Sequence, residues 1–241
     1  DNVYDLTIVA TANGQSASQA LTVSVADVNE GQAFASPSSF GVSENGTAVG
    51  TVSATDLDGD DVSYSISGGA DAALFIINGT TGELACVSAQ HLEAPAGAGA
   101  DNLADVGGAA SGGSLSTPRA VSVSVTNINE AVAITSNGGG ANAALAINEN
   151  QTAVTSVAAT DPEGAVLTYA IAGGADAAKF AINAATGALS FVTGPNWEAP
   201  TDVGANNVYD VIVSVSDGTT SDTQALAVTI NNIVDGAVIN G

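Results

Sequence analysis

The feature that most limits how this chain folds is an ungapped internal repeat. "ENGTAVGTVSATDLDGDDVSYSISGGADAALFIINGTTGEL" (44–84) recurs as "ENQTAVTSVAATDPEGAVLTYAIAGGADAAKFAINAATGAL" (149–189), so that Glu44 falls on Glu149 and Asp71 on Asp176 at a constant offset of 105. The same offset continues through "EAP" (93–95 and 198–200). A repeat of roughly 100 residues is the size of a domain, so the chain is expected to hold tandem copies of one sandwich-sized unit. "DNVYDLTIVATANG" (1–14) matches "NNVYDVIVSVSDG" (206–218), which assigns residues 1–30 to the last two strands of a preceding repeat. One unit then covers 31–130 and another 131–235, with 236–241 beginning a following linker. The extra length of the later unit falls near its start, in "TSNGGGANAALAINEN".

Within each copy the apolar residues keep period two. "LTIVATA", "LTVSVAD", "VSVSVTN" and "VYDVIVSVSD" alternate apolar with small polar residues and are rich in Val, Ile and Thr, the pattern of strands buried on one face. Turn clusters such as "ISGGADAA", "NGTTGE" and "SDGTTSD" separate them. No segment carries a helical period with caps. Short strands at spacings of roughly 8–12 residues predict an all-β chain of β-sandwiches.

Charge then narrows the partners. Against 25 Asp and Glu stand 2 Lys and Arg, a formal net charge of −23. Such a surface repels nucleic acid and anionic membranes and attracts cations. No apolar run of about 18 residues is present to span a bilayer as a helix. No signal peptide is visible and Met is absent, which reads as an internal piece of a longer polypeptide. The lone cysteine, Cys86, excludes an intrachain disulfide.

The acids occupy equivalent places in the two copies. Glu44 and Glu149 follow the first strand; Asp56 with Asp58, and Asp161 with Glu163, follow the second; Glu93 and Glu198 precede Ala-Pro; Asp217 follows the sixth strand of the last unit. Each unit is entered through an Asx-rich stretch, "VADVNE" (25–30) or "VTNINE" (125–130). Because alternate inter-strand turns gather at opposite ends of a sandwich, acids from two neighbours are expected to meet at the linker. Carboxylates about 4–6 Å apart repel one another. Calcium resolves this, taking about 6–8 oxygen ligands from carboxylates, Asn side chains and backbone carbonyls. Asp27, Asn29 and Glu30 offer such a set. Zinc is disfavoured, since one His and one Cys supply no nitrogen or sulfur cluster.

"VADVNE", "VSEN", "ATDLDG", "FIINGTTGEL" and "LEAP", in that order, resemble the cadherin-like repeats of large bacterial surface proteins. The resemblance covers nearly the whole chain. It implies tandem Greek-key, immunoglobulin-like sandwiches of seven strands, calcium ions between successive repeats, no enzymatic activity, and an extracellular place on a cell surface or in a secreted adhesin. Carried over position by position, its ligands fall on Glu44 and Glu149, on Asp56 and Asp58, on Asp161 and Glu163, and on Glu93 and Glu198. The linker ligands fall on Asp27, Asn29 and Glu30 and on Asn127, Asn129 and Glu130; the late-strand acid falls on Asp217 alone. Asn232 and Asp235, with Glu149 and Glu198, make a half-site for a further repeat. The junction near 130 has the fullest set and is expected to bind best, and the 27–30 linker weakly. Neighbouring repeats, other copies of the chain and surface glycans are the partners this implies.

The first unit departs from the pattern. Gly112 stands where the last unit has Asp217, and "NLADVGGAASGG" replaces "NVYDVIVSVSDG", predicting a weak or loop-like sixth strand. Cys86, His91 and Arg119 lie in the same drifted stretch. "DLDGD" opens like an EF-hand loop, yet the twelfth position is Ser67 rather than Glu. A triad drawn through His91 and Glu93 rests on a lone His in an irregular loop, and a glycosidase reading of the paired carboxylates lacks aromatic residues to line a sugar cleft. Trp197 reads as a strand-packing residue and Asp71 and Asp176 as caps of a short turn. The sequons at Asn45, Asn78 and Asn150 matter only in a eukaryotic secretory host. Two other functions stay open on sequence alone: a carbohydrate-binding module using Trp197, and a filament subunit whose strands in 1–30 complete a neighbour.

Overall fold

The computed structural model describes residues 2–234. The chain divides into two compact units, Asp1–Asn127 and Ile128–Gly241. Half-buried alternating runs have become strands throughout, and no α-helix occurs among the described residues.

The chain begins with a hairpin of β1 (Val3–Ala12) and β2 (Gln15–Ser24), paired from Val3 opposite Ser24 to Ala12 opposite Gln15. Asn13 and Gly14 close it with φ of 49° and 79°, a two-residue turn whose left-handed conformations suit Asn-Gly. All residues of both strands are exposed.

In the rest of the first unit come β3 (Ala33–Phe34), β4 (Ser39–Ser43), β5 (Ala48–Thr51), β6 (Ala54–Thr55), β7 (Ser63–Gly68), β8 (Phe75–Ile77), β9 (Glu83–Cys86), β10 (Leu103–Gly112) and β11 (Leu115–Thr126). One sheet has the order β4–β11–β10–β7, the other β5–β9–β8, and β3 pairs with β6. β4 lies parallel to β11, whereas the other pairs are antiparallel. Counting β3 with β4 and β5 with β6 as interrupted strands gives a seven-stranded Greek-key sandwich. Val42, Val49, Phe75, Leu84, Cys86, Val106, Val121 and Val123 form its core between the sheets.

The second unit repeats this plan in β12 (Ala133–Ile134), β13 (Asn142–Asn148), β14 (Ala153–Ser156), β15 (Ala159–Thr160), β16 (Thr168–Gly173), β17 (Phe180–Ile182), β18 (Ala188–Phe191), β19 (Val208–Ser216) and β20 (Ser221–Asn231). Its sheets are β13–β20–β19–β16 and β14–β18–β17, with β12 on β15. Phe191 stacks on Phe180 with centroids 4.3 Å apart and meets Tyr209 edge-on at 5.0 Å. The extra residues near the start form a 3₁₀ turn, Ser136–Gly138. It surrounds the buried Gln224, which donates to Gly140 O at 2.8 Å and accepts from Asn137 Nδ2 at 3.1 Å.

Three sequence expectations change. The sixth strand of the first unit is neither short nor a loop: β10 runs for ten residues and pairs with both β11 and β7. A ladder is made by backbone groups, which Gly and Ala supply as well as Val does. What the substitutions remove is side-chain bulk, for Tyr209, Val213 and Val215 of β19 correspond to Ala104, Gly108 and Ala110, and Phe191 to Cys86. Larger rings return part of it: Phe34 and Phe40 pack against this core, and Arg119 lies 4.9 Å from the Phe34 ring centroid. Asp71 and Asp176 stand before 3₁₀ turns but make no side-chain cap. Each instead braces a loop against a strand: Asp176 accepts from the N–H groups of Val203 (2.8 Å) and Asp210 (2.9 Å), and Asp71 from those of Ala98 (2.6 Å) and Asp105 (2.9 Å). Trp197 lies in the loop before β19, 40% exposed, and not in a strand.

Candidate metal centre

The strand order of each sandwich gathers its carboxylates into two groups, one beside the incoming linker and one beside the outgoing linker. We call these the start pole and the end pole.

The end poles are built alike. Glu44 is buried; its N–H donates to Thr126 O (2.9 Å) and its Oε2 accepts from Leu92 N–H (3.1 Å). Glu149 is equally buried and accepts from the N–H groups of Ile233 (2.8 Å) and Trp197 (2.9 Å). Those two bonds stabilise the ionised form, so the Glu149 carboxyl is held below the ordinary glutamate range. Glu93 and Glu198 follow Leu92 and Trp197 on the exposed rim, and Glu198 accepts from Asn232 Nδ2 at 3.0 Å. Asp235 lies outside the described residues.

The start pole of the second unit assembles Asn129, Glu130, Asp161, Glu163 and Asp217. Glu130 N–H donates to Glu163 Oε1 at 2.9 Å, and that bond is the main reason the Glu163 carboxyl is held low. Asp217 Oδ2 accepts from Asn129 Nδ2 (2.9 Å) while its Oδ1 accepts from the N–H groups of Thr219 and Thr220 (2.6 Å each). These donors, Asn129 first, push its carboxyl far below the aspartate range. Asp161 Oδ1 accepts from Ala165 N–H at 3.1 Å. Two atoms break the pattern of satisfaction: Asp161 Oδ2 and Glu163 Oε2 are buried with no hydrogen-bond partner among the described residues. A buried ionised oxygen without a donor is costly, and oxygens of this kind suit a hard cation as ligands.

The start pole of the first unit holds Asn29, Glu30, Asp56 and Asp58, and here Glu30 N–H donates to Asp58 Oδ2 at 2.8 Å. Asp58 N–H donates to Asp56 Oδ1 at 2.9 Å. The Glu30 carboxyl is raised above its ordinary value, by a hydrogen bond shared with Asp58 and then by burial and the charges of Asp58, Asp27 and Asp56. Two residues that sequence reading passed over belong here. Asp60 flanks the β10–β11 turn, since a Cβ on Gly113 would collide with Asp60 and with Asn29. Gln32, 4% exposed, points its amide at Asp56. The run of acids in "DLDGDD" signalled the first; nothing in the repeat signals the second.

No protein-family model matches the chain, and no curated protein matches it. Solved structures do. Protocadherin gammaB7 repeats EC3-6, in a cis-dimer structure, are 23% identical with a TM-score of 0.64 over 95% of this chain and 60% of that one. Protocadherin Gamma B2 extracellular cadherin domains 3-6 give 22%, 0.60, 95% and 59%. Human Protocadherin-24 EC1-2 gives 20% identity and a TM-score of 0.59 over 84% of this chain and 99% of that one. The fold is that of cadherin extracellular repeats. The chain spans about three fifths of the length of these two gamma-protocadherin structures, and at these identities the likeness concerns fold. The donors of a cadherin-like calcium site are all oxygens, and the second unit's start pole fits that group: its acids are within the unit's own hydrogen-bond network, and two of their oxygens await a partner.

Proposed function

We propose that this chain is a pair of calcium-binding cadherin-like repeats from an extracellular adhesion or structural polypeptide. The observation that carries the reading is the pair of buried, partnerless carboxylate oxygens of Asp161 and Glu163. Asn129, Glu130, Asp161, Glu163 and Asp217 hold calcium at the start of the second unit. At the end pole of the first unit, Glu44, Glu93 and Asn127 offer a further set of oxygens. At the end pole of the second unit, Glu149, Glu198 and Asn232 offer the corresponding set of oxygens. Bound calcium neutralises carboxylates that otherwise repel, and turns a short Asx-rich linker into a fixed joint. A succession of such joints makes a stiff rod suited to presenting adhesive surfaces away from a cell. The acid-rich surface keeps the rod soluble and draws cations to it.

A calorimetric calcium titration of the whole chain tests this, repeated with Asp161→Ala. The chain is expected to bind, and the variant to lose at least about tenfold in affinity. At a calcium concentration about 100 times the Kd, binding adds about 2.7 kcal/mol of stability that EDTA removes. Absence of binding heat together with a Tm indifferent to EDTA would overturn the proposal.

A further inference from the structure

The start poles of the two units are built from equivalent positions and differ in what satisfies their acids. In the second unit Asp217 occupies the position after β19, Val132 follows the linker, and Asp161 Oδ2 is left without a donor. In the first unit Gly112 replaces that acid and Gln32 stands where the second unit has Val132. Gln32 Nε2 donates to Asp56 Oδ2 at 2.8 Å and to Gly112 O at 3.2 Å. Both partners only accept, so the amide must present its nitrogen there. Its Oε1 accepts from Thr117 Oγ1 at 3.5 Å. Asp56 Oδ1 is occupied by the N–H groups of Asp58 (2.9 Å) and Asp60 (3.4 Å). A Cβ built on Gly112 would lie 3.0 Å from Gln32 Nε2 and 3.2 Å from Asp56 Oδ2. The glutamine amide therefore fills the space an acid at 112 would need, and the two replacements complement each other.

We infer that the Gln32 amide stands in for a cation at the start pole of the first unit, so that this pole is closed by the protein's own hydrogen bonds and takes no calcium. A donor amide 2.8 Å from the carboxylate occupies the approach an ion would use, and its own oxygen is turned to Thr117. One oxygen ligand, the acid at 112, is missing as well. This inference rests on the calcium reading of the second unit for its contrast, but not for its test. The consequence is an asymmetric chain: the linker at 127–130 responds to calcium, and the linker at 27–30 keeps its local structure without it.

The test is a calcium titration of the full chain followed by ¹H–¹⁵N spectra, on the natural sequence and on Gln32→Val/Gly112→Asp, which installs the second unit's residues. In the natural chain the Gln32 side-chain amide and the backbone amides of Asp58 and Asp60 are expected to stay in place while those of Glu130 and Ala165 move. If the Gln32 amide moves with the same midpoint as Glu130, the inference is wrong. In the variant the Asp58 and Asp60 amides are expected to become calcium-responsive, with unchanged β8 and β9 signals certifying the fold. A folded variant whose Asp58 and Asp60 remain silent also overturns it. Should Glu130 and Ala165 fail to respond, the proposed function falls and the variant alone decides about Gln32.

Discussion

Asp71 and Asp176 show how one side chain ties a loop to a sheet. Asp176 is 3% exposed and satisfies two backbone N–H groups, one in the loop before β19 and one within it. Replacing it by Ala removes two part-buried hydrogen bonds to a charged acceptor, each worth about 1.5–3 kcal/mol. Asp176→Ala is therefore expected to lower the second unit's stability by about 3 kcal/mol in urea unfolding, and Asp176→Asn, which keeps one acceptor, by less. Equal costs for Ala and Asn would show that the side chain acts by bulk. The repeat displayed the importance of this position in the sequence, but not its task. An Asp before a short turn suggests a cap, and only the folded chain brings residues 27 and 34 positions downstream to its two oxygens. Gln32 was hidden for a related reason. The offset between copies changes from 105 to 100 near the start of the unit, and a polar residue just after an Asx-rich linker looks like ordinary surface.

At the scale of elements, β10 and β19 separate what makes a strand from what makes a core. Both are long and doubly paired, yet Tyr209, Val211, Val213 and Val215 present an unbroken buried face, where the earlier copy offers Ala104, Val106, Gly108 and Ala110. The period-two signal made β19 readable from sequence. In β10 the alternation is between small residues, which carry no hydropathy contrast, so the strand was legible only through its alignment with β19. Giving the second unit the first unit's residues, Phe191→Cys with Tyr209→Ala, removes two rings in mutual contact. Large-to-small changes of buried aromatics cost about 3–5 kcal/mol each, with contacting pairs not additive. The double variant is expected to lose at least about 4 kcal/mol, read from the denaturant midpoint at unchanged slope. A loss below about 1 kcal/mol would mean the loop relaxes into the space.

For the whole molecule, the two units should differ in their response to acid. With calcium chelated, Asp217, Glu163 and Glu149 of the second unit all have carboxyls held below their ordinary values of 3.8 for Asp and 4.5 for Glu. Each contributes stability that is present above those values and is lost as pH falls from them through the lower values of the folded state. In the first unit Asp56 behaves in the same way, chiefly through Gln32, but Glu30 is shifted upward. A raised carboxyl contributes stability at low pH that is lost as pH rises through its folded value, so it opposes Asp56. Scanning calorimetry between pH about 6 and about 3 is expected to show the second unit's transition falling faster than the first's. Parallel decline of the two would contradict the assignment of these groups.

The first unit holds the chain's one thiol and the second its one indole, and their settings differ. Cys86 is 3% exposed between the sheets, with burial also raising its thiol's affinity for its proton, while Trp197 stands on a loop. A bulky thiol reagent thus reacts only when the first sandwich opens, and indole fluorescence follows the second. Nature has given each half of the chain its own channel, so the kinetics of the two can be recorded side by side on an unlabelled protein.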